Sequence, residues 1–236
     1  MNSFDEGCKL AWKRIYIDKD RGIGNAYAEY GTIFHEIIEG YLKDQYLFFE
    51  LPDIFLERFN KMQFLIPFGK GETYKQAGLR YFRECDILPG FKLLENEEEG
   101  RFLIGEHLHR GFADYVGTKG NDLYVIDFKT SKKYEGKDLG KKLRQLYFYS
   151  IPVREKYGKF PDKLKFDFVR VGEEIEVPFN INKLRETKQW ALKVINDIEN
   201  ETKFRPNNSN KFFCDYLCNH RMGCKYRSNI IRIGEI

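Results

Sequence analysis

The 236-residue chain predicts an α/β fold: a mixed sheet flanked by helices, with an N-terminal helical lobe and a Cys-rich C-terminal tail. Three observations predict it. Apolar residues recur at helical spacing between residues 26 and 86. Runs rich in β-branched and aromatic residues, divided by turn-forming clusters, follow from 91 to 129 and return from 164 to 179. One long helical stretch separates the two groups of strands, and strands broken by a single crossover helix imply a mixed sheet covered by helices.

Residues 26–50 read as a helix because Ile33, Ile37, Ile38, Tyr41 and Leu42 share one face. Residues 53–66 and 71–86 read as two more, separated by Pro67-Phe68-Gly69-Lys70-Gly71. Strands are expected at 91–95, 101–106, 109–117 and 122–129, as a four-stranded meander. A helix is expected at 137–157. Pro152 falls inside it, so a kink or an early end near Ser150 is expected. Strands at 164–171 and 174–179 precede a helix at 181–202. The tail from Phe204 reads as loop. No repeat or linker divides the chain, so one domain is expected: a lobe at 26–90, a core at 91–180 and a tail at 204–236 joined to Cys8.

Apolar content of 42% and charged content of 32% describe a globular chain with a sizeable core. No apolar run approaches the twenty or so residues that span a bilayer, which excludes an integral helical membrane protein. Met1-Asn2-Ser3-Phe4-Asp5-Glu6 lacks the basic flank and apolar run of a signal peptide, so a cytoplasmic location is expected. Net charge is only +4, from 40 basic and 36 acidic residues. Its distribution is more telling. Seven Lys or Arg lie between Lys129 and Arg144, against Glu135 and Asp138 alone. Such a run suits a polyanionic substrate, although most charge runs are solvated faces. Aromatic residues reach 16%; most must be core, and a surplus at a groove suits stacking on unpaired bases.

The chemistry concentrates at Asp127-Phe128-Lys129, ending the run Leu123-Tyr124-Val125-Ile126. A strand would carry the acid and the lysine two positions apart, on one face. Upstream lies Asp114, and the turn-prone Gly117-Thr118-Lys119-Gly120-Asn121-Asp122 separates the two acids. A hairpin across that turn brings Asp114 beside Asp127. Two carboxylates can hold a divalent cation against a phosphate, with a lysine beside them to neutralise charge or orient water. Taken alone, Asp-x-Lys is more often a cross-strand charge pair.

Three further patterns shift that balance. His35 and Glu39 stand four apart on the first helix and share a face with Ile38 and Leu42. A histidine there is commonly core, yet an acid one turn on is an odd partner for a purely structural face. Gln145 and Tyr149 form a second such pair, able to bond phosphate or position a catalytic group; the plain alternative is an amphipathic helix. Cys214, Cys218 and Cys224 follow the pattern C-x3-C-x5-C, and Cys8 stands far upstream. In a reducing compartment such clustering reads as metal ligation, by an iron–sulfur cluster or by zinc, with His220 able to replace a thiolate. Cys85 belongs to no such pattern and reads as structural.

Taken together these residues resemble the RecB-like branch of the PD-(D/E)xK nuclease superfamily, over most of the chain from Cys8 to Cys224. The family's G-x3-H-x3-E element matches Gly31, His35 and Glu39; G-x-x-D matches Gly111 to Asp114; D-x-K-T matches Asp127 to Thr130; Q-x3-Y matches Gln145 to Tyr149. One cysteine before the core and three after it resemble the iron–sulfur members, among them the CRISPR-associated RecB-like exonucleases, the AddB nuclease domain and the flap-trimming replication helicase–nuclease. The first pair of the triplet departs from their pattern, with three intervening residues where two are usual. The resemblance implies a restriction-endonuclease-like fold. It makes His35, Asp114, Asp127 and the Phe128 carbonyl ligands of Mg²⁺ or Mn²⁺. Lys129 would orient or activate water, Gln145 and Tyr149 would support the site, and Glu39 would stand behind the ligands. It assigns Cys8, Cys214, Cys218 and Cys224 to a [4Fe–4S] cluster, with zinc as the alternative.

The expected function is a metal-dependent DNA exonuclease acting on single strands or DNA ends, in recombination, repair or CRISPR or phage DNA processing. Lys132, Lys133, Lys141, Lys142 and Arg144 are expected on its DNA phosphates. No G-x4-G-K-[ST] motif occurs, so the chain has no evident motor, and a helicase or integration complex is a conceivable partner. Two other readings fit the same residues: a DNA-binding assembly subunit that cuts little or not at all, and an RNA-processing nuclease.

Overall fold

The computed structural model describes residues 1–67, 70–84, 86–96 and 98–227. Cys85, expected to be structural, and the tail beyond Arg227 lie outside them. The helices are α1 (Asn2–Asp5), α2 (Lys9–Tyr16), α3 (Ala26–Leu42), α4 (Leu51–Asn60), α5 (Lys70–Glu84), α6 (Gly136–Tyr157) and α7 (Ile181–Glu199). The strands are β1 (Lys92–Glu95), β2 (Glu98–Ile104), β3 (His107–Ala113), β4 (Tyr115–Lys119), β5 (Asp122–Phe128), β6 (Lys163–Phe168) and β7 (Glu173–Pro178). The long helix expected at 26–50 is therefore shorter, and its last residues form a separate turn at Phe48–Glu50.

Five strands make one mixed sheet in the order β1-β4-β5-β6-β7. β5 and β6 run parallel, and the other neighbours are antiparallel. A parallel neighbour needs a crossover, which α6 supplies. The restriction-endonuclease-like architecture expected from sequence is what this sheet and its flanking helices show. The four-stranded meander is corrected, however: β2 and β3 form a separate two-stranded ribbon, and β1 takes the free edge of β4. Sequence order favoured pairing neighbours, whereas the sheet closes by pairing Lys92 with Thr118 and Leu93 with Gly117.

Every residue of β5 from Leu123 to Phe128 is buried, as a central strand covered on both faces requires. Tyr124, Ile126 and Phe128 join the largest core cluster, with Tyr30, Phe34 and Ile37 of α3, Phe55 of α4 and Phe82 of α5. Ring contacts such as Phe34–Phe82, centroids 4.9 Å apart, account for much of the aromatic content. Helix α6 runs unbroken through Pro152 to Tyr157 and ends on Gly158 at φ 73°, so the early stop expected at Ser150 does not occur. Ser150 Oγ donates to the Leu146 carbonyl at 2.8 Å, and the Pro152 ring fits against Gly100 of β2, where a Cβ would lie 2.6 Å from it.

The chain forms two compact units, Tyr30–Gln189 and the pairing of residues 1–29 with those from Trp190 onward. The second holds its own small core, in which Phe4, Val194 and Phe204 pack with Trp12, Trp190 and Ile198. Its helix α2 was not anticipated, nor were the short helical turns at Phe213–Leu217 and Arg221–Gly223 in the tail expected to be loop. Among the described residues no helix is long and apolar enough to cross a membrane.

Candidate active site

Pairing of β4 with β5 sets Tyr115 opposite Ile126, which places Asp114 and Asp127 at neighbouring positions where the strands meet. The hairpin expected from the turn residues is present, and its two acids do converge. Asp114 is locked by the backbone: its Oδ2 accepts the Phe128 N–H at 2.7 Å, and its own carbonyl accepts from Asn96 Nδ2 at 2.7 Å. Its other oxygen, Oδ1, stands 3.5 Å from His35 Nδ1. His35 thus reaches from α3 to the start of β4, across an apolar face whose neighbours Ile33, Phe34, Ile37 and Ile38 are buried.

Asp127 is almost wholly buried and pairs with Lys129. Burial alone would lower the Lys129 ammonium, but the adjacent Asp127 carboxylate more than reverses this and holds it above the ordinary lysine range. Lys129 is therefore a cation in this arrangement. Its Nζ donates to Gln145 Oε1 at 3.2 Å and lies 5.8 Å from the Phe166 ring centre. Gln145 Nε2 in turn donates to the Tyr149 hydroxyl oxygen at 2.8 Å. The ammonium fixes which end of the Gln145 amide faces it, so the relay has one direction. Burial pushes the Tyr149 hydroxyl up to about 12, so it too keeps its proton. Gly111 explains itself here: a Cβ would lie 2.7 Å from the Tyr149 ring, so only glycine lets that ring rest on β3.

The structure therefore brings His35, Asp114, Asp127, Phe128, Lys129, Gln145 and Tyr149 into one neighbourhood. Glu39 is elsewhere engaged, in an ion pair with Lys43 one turn on. Of the five expected phosphate contacts, Lys132 and Lys133 lie in the loop before α6, and Lys141, Lys142 and Arg144 in its first turns. Lys133 pairs with Glu173 at 2.8 Å, and Lys142 lies 5.8 Å from the Tyr134 ring centre. Three supporting residues escaped sequence reading. Asn96 holds Asp114, Phe166 packs beside Lys129, and Arg170 Nε donates to the Thr130 carbonyl at 2.7 Å. Each comes from a different strand or turn, so no local spacing announces it; the register pairing Asp127 with Phe166 exists only once β6 is in place.

The other compact unit contains Cys8, Cys214, Cys218 and Cys224. Cys8, Cys214, Cys218 and Cys224 line one small apolar pocket, with Leu10, Phe213 and His220 among its walls. Asn207 ties two of them together: its N–H donates to Cys8 Sγ at 3.4 Å, and its carbonyl accepts from Cys214 Sγ at 3.7 Å. Burial raises the Cys214 thiol, and the nearby Cys218, Cys8 and Cys224 raise it further. Burial likewise raises Cys218. Among the described residues no three His, Cys, Asp or Glu side chains stand as a group that could hold a metal ion in this arrangement.

By donor type both places suit metals. Two carboxylates with an imidazole match Mg²⁺ or Mn²⁺, and four thiolates match an iron–sulfur cluster or zinc. A sequence model of the PD-(D/E)XK nuclease superfamily matches residues 5–225. No curated protein matches the chain.

Proposed function

The chain belongs to the PD-(D/E)XK nuclease superfamily, and from that premise we propose that it is a RecB-like, divalent-metal-dependent DNA exonuclease acting on single strands or free ends. The observation that carries the reading is the convergence of Asp114, Asp127 and Lys129 with the Lys129–Gln145–Tyr149 relay behind them. A bound Mg²⁺ or Mn²⁺ would act as Lewis acid on the phosphate and lower the pKa of its water.

This chain's own residues do the rest. Asp114 has one oxygen committed to the Phe128 N–H and offers Oδ1 beside His35. Asp127 offers its carboxylate from a buried strand end, on the face where Lys129 stands. Asp114 and Asp127 would hold the ion, and Asp127 would then share its charge between it and Lys129. Lys129, a held cation, donates toward the water or the charged phosphate instead of removing a proton. Tyr149 accepts from Gln145, so its own O–H is left to donate toward a phosphate oxygen. Cys8, Cys214, Cys218 and Cys224 would hold the [4Fe–4S] cluster in the separate unit.

Cleavage of end-labelled single-stranded DNA with Mg²⁺ or Mn²⁺ tests the proposal. Asp127→Ala and Lys129→Ala should each lose cleavage by about 10²-fold or more, as loss of a preorganised charge at a reacting centre does. Degradation by Lys129→Ala at the parent rate would overturn the mechanism. Matched RNA strands, run alongside, separate a deoxyribonuclease from an RNA-processing enzyme.

A further inference from the structure

Helix α5 and the turn after β6 enclose an open groove of about 680 Å³ that the cleavage centre does not use. Its walls carry three guanidinium groups, Arg80 and Arg83 from α5 and Arg170 from the turn, against the carboxylates of Glu72 and Glu84. Glu72 already accepts from Gln76 Nε2 at 2.6 Å. Arg80 and Arg83 are three apart, so they lie on the same face of the helix, and both are exposed. Arg170 is fixed rather than free to swing. Its Nε holds the Thr130 carbonyl, and its guanidinium lies 4.9 Å from the Tyr74 ring centre.

That anchor joins groove to centre, because Thr130 directly follows Lys129. Where a strand is cut some nucleotides in from its free end, its phosphates lead away from Asp114 and Asp127 on each side. The loop and first turns of α6 carry lysines for one flank. For the other, the chain beyond Lys129 leads by Arg170 into the groove. Planar guanidinium forks match phosphate oxygens in bidentate fashion, which suits this wall better than a neutral ligand. We propose that the groove binds the phosphates of the nucleic-acid strand flanking the one at the cleavage centre, an inference that rests on the nuclease reading.

Fluorescence anisotropy in chelator reads this without cutting. The probes are single-stranded DNA of about five and about twenty nucleotides, lengths that span one site and an extended track. For the long strand, Arg80→Ala with Arg83→Ala should flatten the slope of log K against log[salt] by about 1.4, from about 0.7 per phosphate contact. The short strand should keep its slope, and Arg80→Lys with Arg83→Lys should keep most of it on the long strand. Both arginines are exposed on α5, so an unchanged thermal midpoint should accompany the loss. An unchanged long-strand slope, or equal losses on both lengths, overturns the proposal. So does a variant that loses affinity for free pyrophosphate while binding long strands as before. A parent that cuts and binds, with no slope change in the double alanine variant, removes the groove alone. A parent that neither cuts nor binds in any arm removes the nuclease reading and the groove with it.

Discussion

Burial pushes the Asp167 carboxyl up to about 6, Lys165 opposes that, and Glu174 adds to it. The residue sits on β6 beside the site, and its backbone carbonyl, not its side chain, accepts the Lys129 N–H at 2.7 Å. An acid with a raised folded-state pKa binds its proton more tightly folded than unfolded. The stability cost is absent below the unfolded value near 3.8, grows as pH rises, and is complete above about 6. Asp167→Asn should therefore raise the thermal midpoint at pH 8, by a stabilisation on the order of 3 kcal/mol, and change little at pH 3.5. Equal midpoint changes at both pH values would show that packing, not ionisation, sets the cost. At this scale the sequence was a good guide where chemistry is local. Gly111 with Asp114, Asp127 with Lys129, and Gln145 with Tyr149 lie within four positions of one another along the chain. It was a poor guide to Asp167, Asn96 and Arg170, whose roles depend on pairing between distant segments.

Helix α6 is the element in which fold and proposed function are most tightly joined. It makes the crossover that sets β5 parallel to β6, and it delivers Gln145 and Tyr149 to Lys129. Its first turns carry Lys141, Lys142 and Arg144. If about three residues of the basic segment contact phosphates, they should contribute about 2 to the magnitude of the single-strand salt slope. Lys141→Ala with Lys142→Ala should flatten that slope and weaken all sequences alike, measured by anisotropy on several unrelated strands. A loss confined to particular sequences would mean that these lysines do not contact the backbone. The helix was legible because its apolar spacing is strong. Its passage through Pro152 was not, since that depends on the gap that Gly100 leaves on β2. Strand positions were legible except at 109–117, where the one expected strand is two, β3 and β4, broken at Asp114 and belonging to different sheets; strand partners were not legible. Nothing in Lys92–Glu95 declares that it will pair with β4 while the intervening β2 and β3 turn aside.

At the scale of the whole molecule, Cys8 near the start of the chain lines one pocket with Cys214, Cys218 and Cys224 of the tail. Cys8 sits just before α2, and Cys214, Cys218 and Cys224 lie among the short turns of the tail, all lining one pocket. The unit they share has only a small core, with Phe4, Val194 and Phe204 at its centre. A unit so assembled must bring together segments separated by nearly the full chain length. The entropy of closing such a loop grows only slowly with length, so a metal clip can offset it without unusual strength. The raised thiols sharpen the point: a metal bound there would displace protons, and its binding free energy would become folding free energy. Anaerobically purified protein should be brown, with about four irons per chain, as a four-thiolate [4Fe–4S] site requires. Cys218→Ala, at the most buried of the four, should bleach the colour and lower the thermal midpoint of the unit. Stoichiometric zinc in colourless, anaerobically prepared protein would replace the cluster and leave the clip intact. Full stability with no metal bound at these thiols would overturn both, because the small core alone would then be holding the two ends together.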